Sequence, residues 1–92
     1  MSESNQTQAT ERYQLFKTDL CGFCYRVRRW LDENGIEVPL RDINQDAEAF
    51  RELLSATSRT TVPCLRIERE DGVEWMFESI DIMRYLAQRY GV

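Results

Sequence analysis

With 92 residues, 42% of them hydrophobic, the chain can bury one modest core but not two, and it is too apolar to be a disordered segment. A net charge of −4 and a pI of about 4.8 leave no broad basic surface for nucleic-acid phosphates, and no apolar run approaches the roughly 20 residues of a bilayer span. Three cysteines and no histidine argue against a disulfide scaffold, whose count is normally even, and against a four-ligand Cys/His zinc site closed by one chain.

The opening "MSESNQTQAT" is polar and reads as a flexible tail over residues 1–11. No apolar stretch follows Met1 to act as a secretion signal, so the expected location is the cytoplasm. From residue 12 to 92 a single folded domain is expected. "RYQLFK" (12–17) is aromatic and aliphatic and short enough for a strand. "CYRVRRWLDENG" then changes to helical spacing, with Cys24, Val27 and Leu31 on one face, Trp30 beside them and Gly35 as the stop. "IEVPLRDI" (36–43) is a second strand, placed at a sheet edge because Pro39 cannot donate to a ladder.

"QDAEAFRELLSAT" (45–57) is an amphipathic helix expected to bury Phe50, Leu53, Leu54 and Thr57. "TVPCLRIERE" and "VEWMFE" are extended runs joined by Asp71-Gly72, a hairpin signal because both residues tolerate positive φ. "SIDIMRYLAQRY" (79–90) closes the chain as a helix, with Ser79 as its N-cap and Ile82, Met83, Leu86 and Tyr90 facing inward. The order is β-α-β-α-β-β-α. Its first two strands should be parallel through a right-handed crossover and its last two antiparallel, giving a mixed four-stranded sheet with helices on both faces.

Cys21-Gly22-Phe23-Cys24 leaves the first strand and enters the first helix, the sequence context of a thioredoxin-like redox site. The unpaired N–H groups of a helix's first turn stabilise a thiolate, the attacking species in disulfide exchange, and this makes Cys21 the nucleophile. Arg26, Arg28 and Arg29 add positive potential. Cys24, one turn deeper, is placed to resolve a mixed disulfide on Cys21, although a buried cysteine there also fits packing alone. Cys64, after Pro63 at the start of a strand, reads as a packed thiol.

Adding "TTVPC", the chain resembles the glutaredoxin branch of the thioredoxin superfamily. The resemblance implies a thioredoxin-like α/β fold and a cis Val62-Pro63 bond facing the active cysteine, with the Val62 backbone pairing with the cysteinyl part of glutathione. A third stretch, "ESIDIMRYL" (78–86), resembles the Glu-Ser pair and following helix of the N-terminal domain of glutathione transferases. There, Ser79 and the first helix N–H groups would bind the α-carboxylate of the γ-glutamyl end, and Glu78 its α-ammonium. Phe23, Val62, Pro63, Glu78 and Ser79 then form the glutathione groove. Two cations are candidates for the glycine carboxylate, Lys17 ahead of the cysteines and Arg59 ahead of the Thr-Val-Pro element.

The resemblance covers residues 12 to 90, with departures. Common glutaredoxins have Pro-Tyr where this chain has Gly22-Phe23, and often Gly-Gly and an Asp-containing pair where it has Phe77-Glu78-Ser79. It is therefore similar to a transferase-like branch. A transferase's helical second domain, with its pocket for hydrophobic electrophiles, is not in this sequence, so conjugation of foreign compounds is not expected unless the chain is a fragment of a larger transferase-like protein.

The activity implied is that of a glutathione-dependent thiol-disulfide oxidoreductase acting on glutathionylated proteins or small disulfides. It would work as a monomer without membrane, nucleic acid or a metal of its own, and would draw electrons from NADPH through a separate glutathione reductase. The alternative comes from Cys-Gly-Phe, shared with relatives whose motif ends in Ser and which hold a [2Fe–2S] cluster between two subunits. There Cys21 of each chain and two glutathione thiols would be the ligands. A glutathione-independent thioredoxin-type reductase is the third reading, weakened by Glu78-Ser79.

Overall fold

A computed structural model describes residues 11–92. Residues 1–10 of the expected tail lie outside the described residues. The elements are β1 (Arg12–Lys17), α1 (Gly22–Glu33), β2 (Leu40–Asp42), α2 (Ala47–Thr57), β3 (Cys64–Arg69), β4 (Gly72–Phe77) and α3 (Ser79–Tyr90). They form one sheet in the order β2-β1-β3-β4. β1 runs parallel to β2 and antiparallel to β3, and β3 is antiparallel to β4. The expected mixed sheet with an edge position for the Pro39 strand is what the chain adopts.

Period-two alternation along β1 and β3 divides the core between the two faces of the sheet. Leu15, Leu65 and Ile67 pack against Val27 and Leu31 of α1 and Ile82 and Leu86 of α3. Phe16 and Cys64, on the other face, meet Ile43 and the Ala49 and Leu53 stripe of α2. α2 covers its face alone, so only a narrow stripe of it is buried. Phe50 and Leu54, expected inside, are 40% and 43% exposed, and Thr57 is only half-buried.

Two boundaries and one side chain also differ from expectation. The second strand shrinks to Leu40–Asp42 because the end of α1 captures the residues before it. Gly35, at φ 66°, donates to the Asp32 carbonyl and Ile36 N–H to the Leu31 carbonyl at 2.9 Å, a Schellman close with Ile36 and Leu31 in one core. Pro39 then contributes its carbonyl alone, accepting from Leu15 N–H at 2.9 Å.

The hairpin turn falls one residue early. Arg69 pairs with Gly72, so the turn residues are Glu70 and Asp71, neither at positive φ, and Gly72 takes φ 147° as the first strand residue. Finally, Tyr90 is 43% exposed; its ring lies 6.3 Å from that of Tyr13 at the domain's far end.

There Glu11 ties β1 to β3 and α3. Tyr13 Oη and Tyr85 Oη donate to its Oε1 at 2.6 and 2.9 Å, Arg69 Nε donates to Oε2 at 3.0 Å, and Arg89 lies 3.2 Å away.

Candidate active site

The register of the strands brings the candidate residues to one end of the sheet. Phe16 pairs with Cys64 and Cys64 with Phe77, while Lys17 pairs with Asp42. The residues just beyond those pairs, Cys21 after β1, Val62-Pro63 before β3 and Glu78-Ser79 after β4, therefore share that end.

Cys21 is the N-cap of α1, with extended backbone at φ −93° and ψ 118°, and its half-buried Sγ accepts from Cys24 N–H at 3.2 Å. A polar N-cap atom normally fills this position; here the thiol does so, which directs it at the positive end of the helix. Its S–H faces the Val62 carbonyl at 3.7 Å. The Val62-Pro63 bond is cis, as expected, so the loop turns its backbone toward the sulfur.

Cys24 is fully buried, and burial first, then its hydrogen bond with Cys21, pushes its thiol up to about 12, against a backbone hydrogen bond from Thr18 and the charge of Lys17. Cys64 is also fully buried, on the α2 face, and burial pushes it up to about 12 despite the nearby Arg59 charge. The two buried thiols are thus protonated at neutral pH, and the accessible thiol is Cys21. Phe23 is 60% exposed beside it, with the Arg26 guanidinium 5.8 Å from its ring centre. A Cβ on Gly22 would meet nothing within 4 Å, so crowding does not dictate glycine there.

Ser79 is not the N-cap expected of it. Glu78 occupies that position at φ 80° and ψ 115°, its carbonyl accepting from Ile82 N–H at 3.0 Å, and Ser79 is the first helical residue, 7% exposed. β4 passes into α3 at one residue, and Glu78 takes a sparsely populated conformation to make the turn. Its side chain does not cap the helix and stays exposed, so the first N–H groups of α3 have no side-chain acceptor from the cap residue. Strain at a non-glycine residue of this kind is retained where the surroundings demand it, commonly at ligand sites.

The two candidate carboxylate partners have different surroundings. Lys17 is nearly buried and ion-paired with Asp19 at 2.6 Å and Asp42 at 3.3 Å, and the Asp19 hydrogen bond holds its ammonium above its usual range. Arg59 is exposed and has no ion pair among the described residues. Its backbone N–H donates to Thr57 Oγ1 at 3.1 Å, a hydroxyl that itself donates to the Leu53 carbonyl at 2.8 Å, and its guanidinium stacks 4.0 Å from the Phe77 ring centre.

Asp19, Asp42 and Phe77 escaped the reading of the sequence. Asp19 stands two residues before Cys21 and was within reach of it; the other two join the site only through strand register. Clefts among the described residues lie elsewhere, one lined by Tyr13, Glu37, Arg66 and Tyr90, another by Arg28, Leu31, Ile36 and Leu40. No group of three or more His, Cys, Asp or Glu among the described residues could hold a metal ion, and no helix there is long and apolar enough to cross a membrane.

The fold recurs in known structures. Maleylacetoacetate isomerase from Anaeromyxobacter dehalogenans, with glutathione bound in its active site, superposes with a TM-score of 0.65 at 21% identity, covering 87% of this chain and 38% of the isomerase. Glutathione transferase Omega 2S from Trametes versicolor gives 0.64 at 22% identity, over 86% of this chain and 36% of that one. The buckwheat glutaredoxin–glutathione complex gives 0.58 at 22% identity, over 96% and 80%. The chain thus spans little more than a third of the isomerase and the transferase. No curated protein sequence matches it significantly. A family model described as Glutaredoxin matches residues 14–73, which takes in the cysteine pair and the cis-proline element, and the chain belongs to the glutaredoxin family.

Proposed function

We propose that this protein is a glutathione-dependent thiol-disulfide oxidoreductase that acts as a monomer in the cytoplasm on glutathionylated proteins or small disulfides. The observation that carries the proposal is the asymmetry of the thiols: Cys21 is accessible at a helix N-terminus against the cis Val62-Pro63 turn, while Cys24 is buried behind it.

The Cys21 thiolate attacks the glutathionyl sulfur of a mixed disulfide. A Cys21–glutathione disulfide forms, and the target leaves as a thiolate that takes up a proton. A second glutathione thiolate then attacks the glutathionyl sulfur, releasing glutathione disulfide and the Cys21 thiolate. In the competing step Cys24 loses its proton, attacks Cys21 and expels glutathione, and the internal disulfide must be reduced again by glutathione.

Bound glutathione lies along Phe23 and Val62-Pro63. Its γ-glutamyl carboxylate meets Ser79 and the uncapped N–H groups of α3, its ammonium meets Glu78, and its glycine carboxylate meets Arg59. Arg59 is chosen over Lys17 because Lys17 already has two carboxylate partners.

The [2Fe–2S] alternative would take one thiolate per chain from Cys21, since Cys24 and Cys64 are buried, so two copies and two external thiols would be required. No feature of the geometry favours it over exchange chemistry. The test is a glutathione-coupled assay of the parent, Cys21→Ser and Cys24→Ser, with an absorbance scan of each after anaerobic purification with glutathione. Cys21→Ser is inactive and Cys24→Ser retains substantial turnover. A folded but inactive Cys24→Ser would refute the monothiol cycle in favour of thioredoxin-type release of the target by Cys24, and a coloured dimer would favour the cluster.

A further inference from the structure

The loop that leads into Cys21 carries a charge arrangement that thiol exchange does not require. Lys17 ends β1 with its side chain only 10% exposed, and Arg28 projects from α1 four residues after Cys24. Both cations converge on one atom: Asp19 Oδ1 lies 2.6 Å from Lys17 Nζ and 3.6 Å from Arg28 Nη1. Lys17 has a second partner in Asp42 at 3.3 Å, but that carboxylate also accepts from Asn44 N–H at 2.8 Å and so closes the turn after β2.

The Asp19 side chain is 58% exposed, and the contacts that hold it are those two cations. Two cations meeting on one carboxylate oxygen make an anion site, and its occupant here comes from the chain itself.

We propose that Asp19 is an internal anion that fills the Lys17–Arg28 site and discriminates against negatively charged groups that approach Cys21 from that side. The formal charges of Lys17, Arg28, Asp19 and Asp42 cancel, two positive against two negative, so neutralising Asp19 leaves one net positive charge two residues from the nucleophile. Asp19 is thus a specificity-determining residue. It touches no reacting atom and acts through the field at the thiol. The inference rests on Cys21 as the attacking thiol but not on glutathione as its partner.

The test compares Asp19→Asn with the parent by the ratio of two Cys21 alkylation rates, with anionic iodoacetate and with neutral iodoacetamide, read by mass spectrometry. The ratio cancels changes in thiol reactivity or loop packing that affect both reagents alike. A unit charge several ångströms away in high dielectric raises it roughly two- to five-fold. The rise collapses in about 1 M salt, where the screening length is near 3 Å. Adding Arg28→Gln to Asp19→Asn returns the ratio toward the parent value.

An unchanged ratio with a reactive Cys21 overturns the role of Asp19 alone, and a rise that survives high salt overturns its electrostatic basis. A Cys21 inert to both reagents overturns it together with the attacking-thiol assignment. Failure of the parent to use glutathione, with the ratio shifted as expected, removes glutathione and leaves the Asp19 screen standing.

Discussion

Native protein treated with iodoacetamide at pH 8 should take up one label, on Cys21. The contrast follows from the state of the other thiols. Cys24 and Cys64 are fully buried and raised to about 12, so at pH 8 only about one part in ten thousand of each is thiolate. A free thiol of ordinary acidity is about one-quarter ionised at that pH, an advantage of roughly two-thousand-fold. The greater nucleophilicity of the more basic sulfur, with a Brønsted slope of about 0.45, returns some forty-fold and leaves about fifty-fold from ionisation alone.

Neither buried sulfur can meet the reagent without local opening, which also removes the burial that raises the thiol, so by this route an opening free energy of about 3 kcal/mol sets the difference at about a hundred-fold or more. Cys24 and Cys64 should therefore react at least about fifty-fold more slowly than an exposed thiol by either route, and fully only in denaturant. Time-resolved alkylation with peptide mapping measures all three rates in one sample. Labelling of Cys64 or Cys24 within ten-fold of Cys21, with native circular dichroism, would refute the burial argument and the choice of nucleophile.

Two further outcomes are expected. Glu78→Ala, Ser79→Ala and Arg59→Ala should each raise the KM for glutathione by the equivalent of about 1–3 kcal/mol without loss of native circular dichroism; an unchanged KM in all three would place glutathione elsewhere. Burial alone would raise the Glu11 carboxyl, but hydrogen bonds from Tyr13, Arg69 and Tyr85 with the Arg89 charge outweigh it and hold the group below its ordinary 4.5. Its stabilisation is therefore full above about pH 4.5 and is lost as pH falls through the lower folded value. Glu11→Gln should destabilise the protein by about 1–3 kcal/mol at pH 7 and flatten part of the stability loss between about pH 5 and 3. Denaturation curves that stay parallel for both proteins across that interval would contradict this.

The order of elements was legible in the sequence because local chemistry wrote it. A short aromatic and aliphatic run marks β1, extended runs joined by Asp71-Gly72 mark β3 and β4, helical spacing of Cys24, Val27 and Leu31 marks α1, and α3 was bounded to the residue at Ser79–Tyr90. The cysteine pair entering a helix was equally readable, as was the Thr-Val-Pro element, whose cis bond follows from the family resemblance.

What tertiary structure decided lay wherever two distant segments compete for the same atoms. Phe50 and Leu54 satisfy a helical pattern, yet α2 stands alone on its face and buries only Ala49 and Leu53. Ser79 has the chemistry of an N-cap, but the direct passage from β4 to α3 puts Glu78 there at positive φ. Lys17 and Arg59 were equivalent as charges in a string of letters. Parallel pairing of β1 with β2 set Asp42 beside Lys17, the loop before Cys21 added Asp19, and antiparallel pairing of β3 with β4 delivered Phe77 to the end of the sheet where Arg59 stacks on it. A local pattern specifies which residues form a strand or helix, but which cation keeps its charge uncompensated depends on carboxylates brought together by strand register, and that is a property of the folded chain.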